Sequence, residues 1–540
     1  MTWRIHVLLF IFGLTVVSLV GIFQHAPGYM DAEYYYAGGI RLAEGNGFTE
    51  ELLWNYLDDP LGLPHPSHAY WMPLASLVAA LGMKIAGSTH FWAARLGLMI
   101  IAGLVAPMTA SLAYALSGKR EHAILAGLLA AVPGFYLAYM GTTDTFGIYM
   151  LLAAAWMLVA RRVLNIQSNR LRLMGWALSL GMISGLFHLS RADGMSWLII
   201  ASLLMVVSAF RKTDQLGEMP DKASRTARLW ELLMALLALL LGYLIVMGPW
   251  MWRNLAVFGT LLSPGGWRAL WFIEYNDLFA YPFTLLTPQR WWSSGIDEII
   301  KARWHSLGQN VQTALVVQGE IFLTPLALLG LWNWRRSVLV QLGLLAWGVT
   351  LLVMTVVFPF AGWRGGFLHS GASIQPLFWA AAPTGLDIFI GWGRRVRGWN
   401  PQHASRVFRA GLVGMAILLT IIIVQRRVIG SSFSEPAWSS TWSAYTRLDS
   451  VLSGVGIKPG EIVMVNNAPG YYVANRRPAL SIPNGGTETA LQVAHRYGVT
   501  YILLEYNHPE GMRELYNNPA DQNGLEYLAT YEGTHVFTVR

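Results

Sequence analysis

Where the first apolar segment of the chain ends, two carboxylates and a run of tyrosines follow: Gly28-Tyr29-Met30-Asp31-Ala32-Glu33-Tyr34-Tyr35-Tyr36. A solvated loop can be built from Gly, Ser and Asn alone. A carboxylate held among aromatic rings can instead take the proton from a hydroxyl and make it a nucleophile. Beside a membrane exit, burial is available to tune such a group. Asp31 is therefore read as the catalytic base. Glu33, two residues on, points another way on a helix and is the weaker candidate. Asp144, after Thr142-Thr143 and just ahead of an apolar segment, is the third. Its alternative is structural, because Thr143 or Asp144 would each cap a helix beginning near Phe146, and the two roles are compatible.

Cationic groups recur at similar apolar ends. His65-Pro66-Ser67-His68-Ala69-Tyr70-Trp71 carries two histidines able to hydrogen-bond a phosphate or, as imidazolium, to pair with it. Their spacing would suit a metal if they shared a helical face, which the prolines oppose, and Tyr70 and Trp71 also read as interfacial anchors. Arg191 in Ser190-Arg191-Ala192-Asp193-Gly194 either pairs with a lipid phosphate or forms a structural ion pair with Asp193. Arg253 follows Pro249-Trp250-Met251-Trp252, and Arg364 and His369 share Gly362-Trp363-Arg364-Gly365-Gly366-Phe367-Leu368-His369. If these corners converge they form a phosphate clamp of His65, Arg191, Arg253, Arg364 and His369, with Tyr34, Tyr35, His68 and Trp71 beside the substrate. No P-loop, dinucleotide fingerprint or His-Glu-x-x-His helix occurs, so an activated donor is expected to arrive as a lipid.

Such residues need helices to place them. Of 540 residues, 54% are hydrophobic and 13% charged, about half the charged share of a soluble domain. With a mean hydropathy of +0.42, this is the composition of a polytopic α-helical membrane protein. The net charge of +8 lies in short loops, where it determines topology and does not signal nucleic acid. The absence of Cys excludes disulfides and thiolate metal sites. The first segment has no small-residue cleavage site before Gln24-His25 and is read as a retained span.

Apolar periodicity predicts about eleven transmembrane helices, near 4–23, 90–117, 122–139, 146–160, 173–189, 193–210, 229–250, 311–333, 337–358, 367–391 and 408–425. Placing Lys119-Arg120, Arg161-Arg162, Arg335-Arg336 and Arg394-Arg395 inside requires 68–87 to lie in the interface and not to cross. The N-terminus is then cytoplasmic. The first loop 24–89, with interfacial helices, and the long loop 251–310 are outside, as is the C-terminus. Residues 1–425 form the membrane domain, and 430–540 a small extracytoplasmic α/β domain. The stretch 213–224 reads as a polar loop.

The layout resembles the GT-C superfamily of membrane glycosyltransferases, in particular bacterial relatives of protein O-mannosyltransferases and lipid A aminoarabinose transferases. The likeness covers roughly residues 1–390. It rests on Asp31-Ala32-Glu33-Tyr34-Tyr35, on His65-Pro66-Ser67-His68-Ala69-Tyr70-Trp71, on Thr143-Asp144, on Ser190-Arg191-Ala192-Asp193-Gly194, and on Pro249 to Asn254 with Phe258-Gly259-Thr260. The resemblance implies a polyprenyl-phosphate sugar donor and an acceptor hydroxyl on a glycan, lipid or protein. It further implies inversion at the anomeric carbon, with Asp31 as base and the cationic turns holding the departing lipid phosphate. It places the chain in the cell (inner) membrane. Metal dependence varies in this superfamily; no tight acidic cluster here demands a metal, and a divalent cation stays open. The rival readings are a polytopic lipid or glycan transporter or flippase, which calls for charges or Pro/Gly breaks deep in several spans with repeated halves, and a non-catalytic glycan-binding scaffold.

Overall fold

The computed structural model describes residues 2–166, 169–214, 222–454, 456–522 and 524–540. The polar stretch expected at 213–224 therefore falls largely outside the described residues. Among the described residues, eight helices are long and apolar enough to cross a membrane. They become nine when Arg120–Ala131 and Gly134–Met140, bent by 47° at their break, are counted as one span.

α1 (Trp3–Gly21) leads directly into α2 (Met30–Ala43). Tyr29 is fully extended ahead of α2, and Asp31 and Glu33 fall in its first turn, where the unpaired backbone N–H groups favour negative charge. α3 (Leu74–Ala86) has 13 residues, about 20 Å at 1.5 Å each, too short for ~30 Å of hydrocarbon. Gly38 and Gly39 let α2 lie on α3, since a Cβ on either would come within 3 Å of Ser76, His68 or Ala79.

α4 (Leu96–Ser117) sets the thickness of the bundle. At one end Arg95 donates to Gly141 O at 2.9 Å and to Gln24 Oε1 at 3.0 Å. Beyond the other end, Asp387 accepts from Lys119 at 2.7 Å, His122 at 2.8 Å and Arg409 at 3.2 Å. The 22 residues between them span about 33 Å. The bent pair Arg120–Ala131 and Gly134–Met140 is α5, followed by α6 (Phe146–Leu164), α7 (Arg170–Ser190), α8 (Ser196–Asp214) and α9 (Lys222–Phe258). The 251–310 stretch is short turns and helices up to α10 (Ile296–Gln312).

Two of the expected spans are not single apolar rods. The 311–333 segment is interrupted before α11 (Thr324–Asn333); α12 (Val338–Leu352) then follows. The 367–391 segment reaches full length only as α13 (Gln375–Arg397), in which Pro383 is buried among other helices and Asp387 is answered by Lys119, His122 and Arg409. α14 (Pro401–Val424) completes the bundle.

Beyond the bundle stand α15 (Ser440–Gly454), α16 (Ala468–Asn475), α17 (Thr487–Tyr497) and a six-stranded sheet. Its strands are β1 (Leu52–Leu53), β2 (Ile462–Val465), β3 (Ala479–Ser481), β4 (Val499–Leu504), β5 (Leu525–Tyr531) and β6 (Thr534–Val539), in the order β1-β3-β2-β4-β6-β5. The first four neighbours run parallel and β6 and β5 are antiparallel. β1 belongs to the first loop, so the sheet is not made by the C-terminal segment alone.

Candidate functional site

The start of α2, the turn before α6 and the segment before α13 meet at one point. Asp31 Oδ2, Asp144 Oδ2 and His369 Nε2 come together there, with the imidazole 3.0 Å from Asp144 and 3.6 Å from Asp31. Asp144 is fully buried: Tyr29 donates its hydroxyl to Oδ2, and the Thr145 N–H donates to Oδ1. The cap position of α6 is Thr145, so Asp144 is not the N-cap that its sequence position allowed. Burial pushes the Asp144 carboxyl up, but His369 and the hydrogen bonds outweigh it and hold the group below the usual carboxylate range. Asp31 keeps 28% of its side chain exposed, and burial with Asp144 beside it raises its pKa despite His369 and Arg191. The two acids are thus differentiated: one a fixed, buried anion, the other accessible and more basic.

His369 stacks on Phe146 at 4.1 Å, and its Nδ1 lies 2.8 Å from Gly365 O. A carbonyl only accepts, so Nδ1 carries a proton. Nε2 faces two carboxylates and needs a positive charge as well, either its own proton or a cation. Asp31, Asp144 and His369 offer three ligand atoms within 4.8 Å of one another, a set that fits a divalent cation.

A cavity of 890 Å³ opens from this cluster, lined by Asp31, Tyr35, Trp71, Arg191, Arg364 and His369 among the expected site residues. Arg191 Nε donates to Ser370 Oγ at 2.9 Å and lies 3.4 Å from Asp193. The turn holding it needs Gly194, because a Cβ there would fall 2.2 Å from Phe187 O. Arg364 lies over Tyr275 at 4.3 Å and Trp363 at 4.7 Å, and has no ion pair among the described residues. Trp71 stacks flat on Trp54 at 3.9 Å. Away from the acids the walls become apolar, through Ile199, Met247, Trp250, Val353 and Phe358.

The remaining candidates sit elsewhere. Glu33 is turned from the cavity and accepts from Asn467 Nδ2 at 2.7 Å; burial pushes it up to about 7, with that amide pulling the other way. His65 is held 3.0 Å from Glu50 and 3.8 Å from Asp58, outside the clamp the sequence suggested. His68 lies between Ser67 and Ser76 hydroxyls, and burial drives its pKa down to about 3, so it is neutral. Tyr34 is buried behind it and accepts from the His68 N–H at 2.8 Å. Arg253 donates to Ser67 O at 2.8 Å and to Phe48 O at 3.2 Å under the rings of Trp250 and Phe258, so it does not reach the cavity. Tyr29, Tyr70, His188, Arg268 and Tyr275 join the site or its walls without having been singled out. Tyr29 and Tyr70 lay within the motifs; the others had no sequence signal.

No family model and no curated protein matches the sequence. Solved structures do. ArnT from Cupriavidus metallidurans bound to undecaprenyl phosphate superposes with a TM-score of 0.57 at 11% identity, covering 98% of this chain and 97% of that one. The archaeal oligosaccharyltransferase AglB from Archaeoglobus fulgidus, in complex with an inhibitory peptide and a dolichol-phosphate, gives 0.53 at 12% identity over 92% of this chain and 69% of that one. The chain shares the fold of both.

Proposed function

On a GT-C membrane fold, we propose that the chain transfers a sugar from a polyprenyl-phosphate-linked donor to an acceptor hydroxyl, with inversion and Asp31 as base. The observation that carries the reading is the unequal pair of carboxylates at the polar end of a cavity that becomes apolar. The acceptor O–H gives its proton to Asp31 while its oxygen bonds the anomeric carbon, and the carbon–oxygen bond to phosphate breaks on the opposite face. Arg364 and Arg191 receive the charge that develops on the departing phosphate, and the apolar walls take the prenyl chain. Asp144 and Tyr29 fix His369 next to Asp31. If a divalent cation is used, Asp31, Asp144 and His369 would hold it, and it would supply charge stabilisation at the phosphate.

The cavity end is assigned to the outer face, because Lys119, Arg120, Arg161, Arg162, Arg335, Arg336, Arg394 and Arg395 belong to the opposite end. A cell-membrane location with the N-terminus inside follows from the same rule. The test uses purified protein in lipid with a polyprenyl-phosphate sugar. Release of free polyprenyl phosphate should fall about a thousandfold in Asp31→Asn, within the range for a lost general base. Undiminished release in that variant would remove Asp31 from the role, and no release by the parent protein would favour the transporter.

A further inference from the structure

The 311–333 segment looks like one apolar span in the sequence, yet its path is broken in mid-bundle. A π-helical turn over Thr313–Gln318 is followed by Glu320 and Ile321 at φ 46° and 55°, left-handed values that such residues rarely adopt. α5 breaks beside it: Gly134, at φ 53°, sits so close that a Cβ there would lie 3.4 Å from Glu320 Cδ. Two discontinuous helices therefore meet around a carboxyl group that is 2% exposed. Along α13, about eight residues or ~12 Å separate Trp379, its neighbour, from the Asp387 network at the bundle end.

Glu320 Oε1 accepts from Trp379 Nε1 at 3.1 Å, whereas Oε2 has no partner. One turn earlier on α13, Gln375 gives its Nε2 to Gln318 O at 2.8 Å, and its Oε1 is also without a partner. No cation answers these oxygens: among the described residues no charged group acts on Glu320. The other titratable side chain nearby, Tyr136, donates to Leu368 O at 2.9 Å. An ionised carboxylate in such a place is far costlier than a neutral acid.

We propose that Glu320 and Gln375 form an intramembrane proton-binding site, in which the Glu320 carboxyl is a neutral acid and its Oε2–H is directed to Gln375 Oε1. One proton then supplies the missing donor for both oxygens. A monovalent cation fits less well. The carbonyls of Gln318, Gly319 and Glu320 already accept from Gln375 Nε2, Thr324 N and Phe322 N, which leaves two oxygens where a hard cation takes about six. The site is wired to the segment bearing His369, since Gln318 Nε2 donates to Phe367 O at 3.4 Å and Tyr136 to Leu368 O. Loss of the proton would leave a bare anion and force the turn, with that segment, to rearrange.

The experiment is infrared difference spectroscopy of the full chain in lipid nanodiscs. At neutral pH the parent protein should show the C=O stretch of a protonated carboxylic acid that Glu320→Gln lacks, unchanged when sodium replaces choline. Gln375→Leu, which removes the acceptor, should shift that band and so covers a failure of Glu320→Gln to fold. The thermal midpoint of the parent should fall as pH rises from the ordinary carboxylate range until the proton is lost, and that of Glu320→Gln should fall less. No Glu320-dependent acid band, or a stabilisation by sodium that Glu320→Gln abolishes, overturns the proposal.

Discussion

At the scale of single residues, the arginines separate by what already occupies them. Arg253 spends its donors on two carbonyls and Asn254 Oδ1 and its face on aromatic rings, while among the described residues Arg364 makes ring contacts and no ion pair. Arg364→Ala should therefore weaken binding of polyprenyl phosphate about tenfold or more, the worth of one hydrogen bond to a charged group. Arg253→Ala should leave that affinity unchanged and lower the thermal midpoint instead. Binding titrations and melting curves of both variants decide it, and an affinity loss confined to Arg253→Ala reverses the assignment. Asp31, Asp144 and Arg191 stand out in the sequence as candidates because each lies just beyond or between apolar runs, where a charge has few structural uses. The confinement of His65 was not legible: its partners Glu50 and Asp58 come from a loop with no periodicity, and only the folded path brings them to it.

At the scale of elements, α2 is clamped from the side opposite the cavity. Asn467, at the N-terminus of α16, accepts from the Gly470 N–H and donates to Glu33. The fit is close enough that a Cβ on Gly470 would lie 2.9 Å from that carboxylate. Asn467→Ala leaves a buried carboxyl without its donor, a loss of about 1–3 kcal/mol, and frees the helix that aims Asp31. Turnover should fall more than KM changes, as steady-state kinetics would read. The adjoining Asn466 N–H is held by Glu505, which burial raises from 4.5 to about 7 against the bonds from Asn466 and Tyr445. The folded chain thus binds a proton that the unfolded chain has lost between those values. Its contribution to stability is greatest below 4.5, declines as pH rises to about 7, and is level beyond. Glu505→Gln should flatten that decline in thermal midpoints measured across the window; an unaltered slope would assign it to another group. The helices on both sides of the site were legible from apolar periodicity. The breaks in α5 and before α11 are marked locally, by Pro133-Gly134 and by Gln318-Gly319-Glu320 with Pro325, but hydropathy averaged over a whole span hides them.

At the scale of the whole molecule, the two ends of the bundle differ in kind, one with the cavity and sheet, the other with the Asp387 network. A single Cys introduced at position 80 should react with an impermeant thiol reagent from outside, and one at position 120 only from inside. Labelling at 120 from outside would invert the assigned orientation. The α/β character of the last hundred or so residues was legible in alternating strands around a helical stretch, a normal domain size. The sixth strand was hidden, since Leu52–Leu53 is two residues long and carries no pattern of its own. Yet those two residues pair with Ala479 and Leu480, roughly four hundred positions later. During synthesis the early segment is delivered first and must wait, at about 5–20 residues per second, for tens of seconds until its mate emerges on the same side. Throughout that interval its backbone donors and acceptors lack the strand that the folded chain gives them, so an edge laid down after the first crossing is completed only after the last.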